Sequence, residues 1–123
     1  MSTKDIGNAG EREAVELLTG KGYAIVDRQV RIGNVEVDIL AQFANRIVFV
    51  EVKTRREDHF DADFSINREK LSRLSRAADS YVRMKNLPHE AQIDAVLVTT
   101  HPDGTLTLTH LEDIALPPRR SRR

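Results

Sequence analysis

The chain has 123 residues, with 19 Lys and Arg against 19 Asp and Glu, four His, and neither Cys nor Trp. One domain is expected at this length, and 40% hydrophobic with 31% charged residues excludes a disordered chain. Without Cys, disulfides, thiolate zinc sites and cysteine nucleophiles are excluded. No apolar run approaches the ~20 residues of a bilayer span, and Met1 to Gly10 has no stretch resembling a signal peptide. No membrane partner is therefore expected, and the expected location is the cytoplasm. A formal charge of zero argues against a histone-like basic coat. It leaves nucleic acid open, because a basic face beside an acidic site also sums to zero.

Thr3 to Gly20 is predicted to be a helix, capped by Thr3, with Ile6, Ala14, Leu17 and Leu18 within one third of the helical circle. Lys21-Gly22 ends it. A strand from about Ala24 to Val30 follows, then a turn at Gly33-Asn34. Val35 to Ala41 alternates, placing Val35, Val37, Ile39 and Ala41 on one face and Glu36, Asp38 and Leu40 on the other. A turn near Ala44-Asn45 leads into Ile47 to Thr54. There Val48, Val50, Val52 and Thr54 share one face, while Ile47, Phe49, Glu51 and Lys53 share the opposite one. The short gap between these two strands suits an antiparallel hairpin. Residues 55–66 show no period and are predicted to be a loop.

Arg68 to Lys85 is predicted to be a helix whose core stripe is Leu71, Leu74, Ala78, Tyr81 and Val82. Ile93 to Thr99 is a strand rich in β-branched residues, and Asp103-Gly104 marks a hairpin turn into Leu106 to Thr109. The order is helix, three strands, helix, two strands, an α/β sandwich around a central mixed sheet. The expected domain spans residues 1–116. Residues 117–123, with four Arg behind two Pro, are expected to form a disordered basic tail.

Acidic residues inside apolar strands carry the chemistry. Glu51 and Lys53 interrupt Ile47-Val48-Phe49-Val50, and Glu36 and Asp38 interrupt the preceding strand. A carboxylate buried alone loses several kcal/mol of solvation and needs a compensating cation. Pairing the two strands brings Asp38, Glu51 and Lys53 onto one face. Two carboxylates with a strand carbonyl form an oxygen-rich site suited to Mg²⁺ or Mn²⁺. Lys53, about 6–7 Å along the strand from Glu51, is within reach of a phosphate oxygen. The bland alternative is an exposed Glu51–Lys53 salt bridge, but apolar residues on both faces imply a strand covered on both sides.

Asp38 followed by Glu51-Val52-Lys53 resembles the D-x(n)-E-x-K core of the PD-(D/E)XK nuclease superfamily, which includes restriction enzymes and Holliday-junction resolvases. Gly10-Glu11-Arg12-Glu13-Ala14, Glu36-Val37-Asp38-Ile39-Leu40-Ala41 and Phe49-Val50-Glu51-Val52-Lys53-Thr54-Arg55 look like the signature segments of the bacterial YraN family, over about residues 5–98. Val37 replaces the proline of the superfamily name, and Val35 stands where the YraN-like segment has Gly. The resemblance implies a restriction-endonuclease-like fold, with Asp38 and Glu51 as ligands for Mg²⁺ or Mn²⁺. It also implies Lys53 as the residue that orients or activates the attacking water. A glutamate of the first helix often joins such sites, and Glu11 is its match, at the border of the apolar stripe.

The expected partner is nucleic acid, DNA before RNA. The helix at 68–85 holds six cations against Glu69 and Asp79, so Arg73 and Arg76 are candidate phosphate contacts. Arg55 and Arg56 lie just past Lys53, placed to grip phosphates beside a scissile bond. Six Phe and Tyr give little provision for base stacking, which favours backbone and shape recognition. No Walker or GxGxxG motif supports nucleotide binding. His59, His89, His101 and His110 are expected at the surface. The function these observations suggest is metal-dependent phosphodiester hydrolysis, with a non-catalytic nucleic-acid-binding module as the alternative.

Overall fold

The computed structural model describes residues 3–59 and 68–114, with side chains from residue 9 onward. The tail at 117–123, much of the predicted loop at 55–66 and the capping side chain of Thr3 lie outside that description. Helix α1 (Thr3–Gly20) is followed by β1 (Ala24–Ile32), β2 (Val35–Phe43) and β3 (Arg46–Arg56), then α2 (Arg68–Met84), β4 (Glu90–Thr100) and β5 (Leu106–Leu111). The order helix, three strands, helix, two strands is the expected one. Strands lie in sequence order, antiparallel except for β3 and β4. That parallel pair needs a crossover, which α2 supplies.

The two helices cover opposite faces of the sheet. Ala14 and Leu18 of α1 pack on Ile39, Ala41, Val48, Val50, Val96 and Val98. Leu71, Leu74 and Ala78 of α2 pack on Leu40, Ile47, Phe49 and Ile93. Apolar surface on both sides of β3 explains its nearly unbroken hydrophobic run. Phe49 and Val50 are each fully buried, facing opposite layers. Several elements are longer than their sequence patterns suggest. β3 runs through Arg55 and Arg56 rather than ending in a loop, because both pair with β4. The β2–β3 hairpin turns in two residues, Ala44 and Asn45, between the pair Phe43↔Arg46.

The alternation expected along β2 breaks at Asp38. Val35 and Val37 pack with the α2 layer, whereas Ile39 and Ala41 pack with the α1 layer. In the neighbouring β1, Gln29, between the pairs Arg28↔Ile39 and Val30↔Val37, adopts a left-handed φ of 54°, and the β1–β2 register shifts between Ile25 and Asp27. Such a conformation in a non-glycine residue costs about 1–3 kcal/mol.

One histidine is misplaced by the sequence reading. The His110 side chain is only 4% exposed and donates from Nε2 to Asp94 Oδ2 at 2.7 Å. Lys21 Nζ lies 2.7 Å from His110 Nδ1. Asp94, fully buried, also accepts from Tyr23 Oη at 3.0 Å, Gln92 Nε2 at 2.9 Å and the Asp113 backbone at 2.9 Å. Burial and the neighbouring Asp94 push the Tyr23 phenol well up. This network ties the start of β1, β4 and the end of β5 together on the α1 side of the sheet.

Candidate functional site

Three consequences of the β-structure bring the acidic residues together. First, the β2–β3 ladder runs from Phe43↔Arg46 to Ile39↔Val50 and stops there. Beyond that point Asp38 Oδ2 accepts from the Val52 backbone N–H at 2.8 Å, so a side chain takes over where the ladder ends. Second, the same end of β3 carries Glu51, whose residue is 6% exposed. Third, α1 approaches β3 at Gly10, where a Cβ would sit 2.3 Å from Thr54 Oγ1. Only a residue without a side chain permits that approach. The next residue, Glu11, is thereby held close to the sheet and is 7% exposed.

Each carboxylate has its own partner. Glu11 Oε2 accepts from Arg28 at 2.6 Å (Nη2) and 2.8 Å (Nε), and Glu11 Oε1 from the Gln29 amide. The left-handed Gln29 is thus anchored by its side chain to the first helix. Glu51 Oε2 accepts from Lys70 Nζ of α2. Asp38 has the Val52 N–H. Burial pushes the Asp38 carboxyl up to about 6; the Val52 hydrogen bond lowers it, Glu51 and Glu11 raise it, and Lys70 lowers it. Those influences place Glu51, Glu11 and Lys70 within electrostatic range of Asp38.

A cavity of about 230 Å³ opens onto this point, lined by Glu36, Asp38, Glu51, Lys70, Arg73 and Leu74 among others. It adjoins, through Val35 and Arg73, an open groove of about 730 Å³ between β1 and α2. Arg31, Arg76 and Lys85 line that groove, and Met84, 80% exposed, lies along it. Among the described residues, no three Asp, Glu or His side chains converge into a ready metal cage. Asp38 and Glu51 share a cavity, while Glu11 is drawn aside by Arg28 and Gln29.

The other expected residues are distributed as follows. Lys53 is half-buried two residues beyond Glu51, opposite Leu97, and does not line the cavity. Arg55 Nε donates to Thr99 Oγ1 at 3.4 Å, which holds it along β4. Arg56 is exposed and sits 3.8 Å from Asp58. Arg73 pairs with Glu69 at 3.5 Å, and Arg76 donates to Ser72 Oγ at 3.0 Å, both on the exposed side of α2. Sequence reasoning missed Lys70, Arg28 and Gln29. Lys70 left a signal: it stands one turn before Leu74, on the flank of the core stripe, where a long side chain reaches the sheet.

A family model described as uncharacterised protein family UPF0102 matches residues 10–98. The chain belongs to UPF0102. That match spans Glu11, Asp38, Glu51, Lys53 and Lys70. A UPF0102 protein of Symbiobacterium thermophilum is 40% identical over 106 residues, 85% of this chain and 90% of the relative. Another, from Bacteroides thetaiotaomicron, is 34% identical over 93% of this chain and 94% of its own length. A third, from Caldicellulosiruptor saccharolyticus, is 44% identical over 68% of this chain and 71% of its own. Among solved structures, the Archaeoglobus fulgidus Holliday junction resolvase Hjc is similar with a TM-score of 0.43 and 17% identity, covering 83% of this chain and 70% of that one.

Proposed function

We propose that this UPF0102 protein is a nuclease-like, nucleic-acid-binding protein of the cytoplasm. In this reading it hydrolyses phosphodiesters, of DNA before RNA, with Mg²⁺ or Mn²⁺. The observation that carries the reading is the meeting of Asp38 and Glu51 in an open cavity walled by Lys70 and Arg73. The donor set suits such an ion, because two carboxylates offer hard oxygens and the cavity leaves other positions to water. Asp38 and Glu51 would hold it. When bound, it supplies positive charge to offset the charge that develops on the phosphoryl oxygens.

The chain's own residues divide the remaining work. Lys53 holds the attacking water and a phosphate oxygen. Glu11, fixed by Arg28 and Gln29, raises the negative potential around Asp38 and favours a cation there. Arg55 and Arg56 continue β3 past Lys53, where they contact the phosphates flanking the scissile bond. Arg73 and Arg76 meet the backbone farther along α2. The exposed Arg73–Glu69 pair stabilises the helix little, so Arg73 exchanges it for phosphate at small cost.

Cleavage of duplex, junction, flap and single-stranded substrates should be assayed for wild type, Lys53→Ala and Asp38→Asn with each ion. Lys53→Ala should lower cleavage by roughly 10²–10⁴ while metal binding and melting temperature stay near wild type. Asp38→Asn should lose metal binding and cleavage together. Wild-type inactivity on every substrate would overturn the hydrolytic reading, and retained salt-dependent binding would then favour the non-catalytic module.

A further inference from the structure

A cation already sits on Glu51. Lys70 reaches from the first turn of α2 so that its ammonium meets Glu51 Oε2, and it also opposes the rise in the Asp38 pKa. The Glu51 side chain is 8% exposed while that of Lys70 is 36% exposed. The carboxylate is therefore fixed in the wall, and the ammonium reaches it from the solvent side through the cavity both residues line. Two facts of physical chemistry follow. A carboxylate as buried as Glu51 needs a counter-ion at all times. A lysine on a flexible four-carbon stem is a counter-ion that can leave, unlike a strand residue or a planar arginine fork.

We propose that Lys70 is an internal counter-ion that occupies the cation position on Glu51 and is displaced when a divalent cation binds to Asp38 and Glu51. The inference rests on the metal-binding reading above and adds a regulatory element to it. Lys70 keeps the cation-free site folded and neutralised, and it makes divalent affinity lower than the carboxylates alone would give. The two cations compete because both draw on the same oxygen, Glu51 Oε2, and two positive charges brought onto one carboxylate repel each other. Such competition is a coupling free energy between Lys70 and the ion, and couplings of this kind are typically about 5–150-fold in affinity.

Mn²⁺ binding by calorimetry should be compared for wild type, Lys70→Met, Lys70→Gln and Arg83→Met, the last removing a charge at the far end of α2. Both Lys70 variants should bind Mn²⁺ at least about five-fold more tightly than wild type, with Arg83→Met unchanged. Without metal, Lys70→Met should melt below wild type, and Mn²⁺ should raise its melting temperature more than it raises the wild type's. Lys70→Gln keeps a donor to Glu51 and serves if the methionine variant does not fold. In wild type, saturating Mg²⁺ should shift the Lys70 side-chain nitrogen resonance as the contact with Glu51 is lost. A Lys70 resonance unchanged by saturating Mg²⁺, or folded Lys70 variants with wild-type Mn²⁺ affinity, would overturn the proposal. If instead wild type and Asp38→Asn take up Mn²⁺ alike, the metal-site reading itself fails.

Discussion

Burial moves the Asp38 carboxyl from 3.8 to about 6, and stability must then depend on pH in a defined direction. Between those values the folded chain binds a proton that the unfolded chain has released. The stability tied to that proton is complete below the unfolded value and is lost as pH rises through about 6. At neutral pH the ionised Asp38 is thus a strain on the fold, worth up to about 3 kcal/mol for a shift of this size. Asparagine retains an acceptor for the Val52 N–H and carries no charge. Asp38→Asn should therefore melt above wild type at pH 8, and the gap should close as pH falls from 6 toward 4. A gap independent of pH would show that Asp38 is already solvated. Asp38 and Glu51 were legible in the sequence because a carboxylate inside an apolar strand is conspicuous. Arg28 and Gln29 were not, since a Gln in a left-handed conformation leaves no compositional mark.

At the scale of elements, the helices and strands followed from periodicity, but the phase of β2 did not. Alternation assigned Val35, Val37, Ile39 and Ala41 to one face. The structure instead puts Val35 and Val37 in the α2 layer and Ile39 and Ala41 in the α1 layer, beside the left-handed Gln29 of β1. A break of this sort lies in backbone conformation and strand pairing, and a pattern read along one strand does not contain it. The α2 stripe was legible because Leu71, Leu74 and Ala78 pack on a single neighbour, the sheet. The seating of α1 depends on Gly10 against Thr54. Gly10→Ala should force α1 away from β3 and cost about 1–3 kcal/mol by overpacking. Adding Thr54→Ala should restore most of that loss in a double-mutant cycle. Additive losses from the two substitutions would mean that the helix is not seated by this contact.

Over the whole molecule, a net charge of zero conceals a separation of signs. Asp38 and Glu51 share a cavity where β2 leaves β3, and the groove beside it carries Arg31, Arg73, Arg76 and Lys85. Acid beside base is the charge distribution that the proposed function requires, because basic groups attract phosphate while the carboxylates would hold a cation. The buried Asp94–His110–Tyr23 network shares no residue with that cavity, and it reads as a clamp on the sheet. The Asp38–Glu51 cation site is tested most directly by Mn²⁺-induced line broadening of backbone amides in wild type and Asp38→Asn. Broadening should centre on Asp38, Glu51 and Val52 in wild type and vanish in Asp38→Asn. Broadening elsewhere, or an identical pattern in both proteins, would contradict a cation site at Asp38 and Glu51.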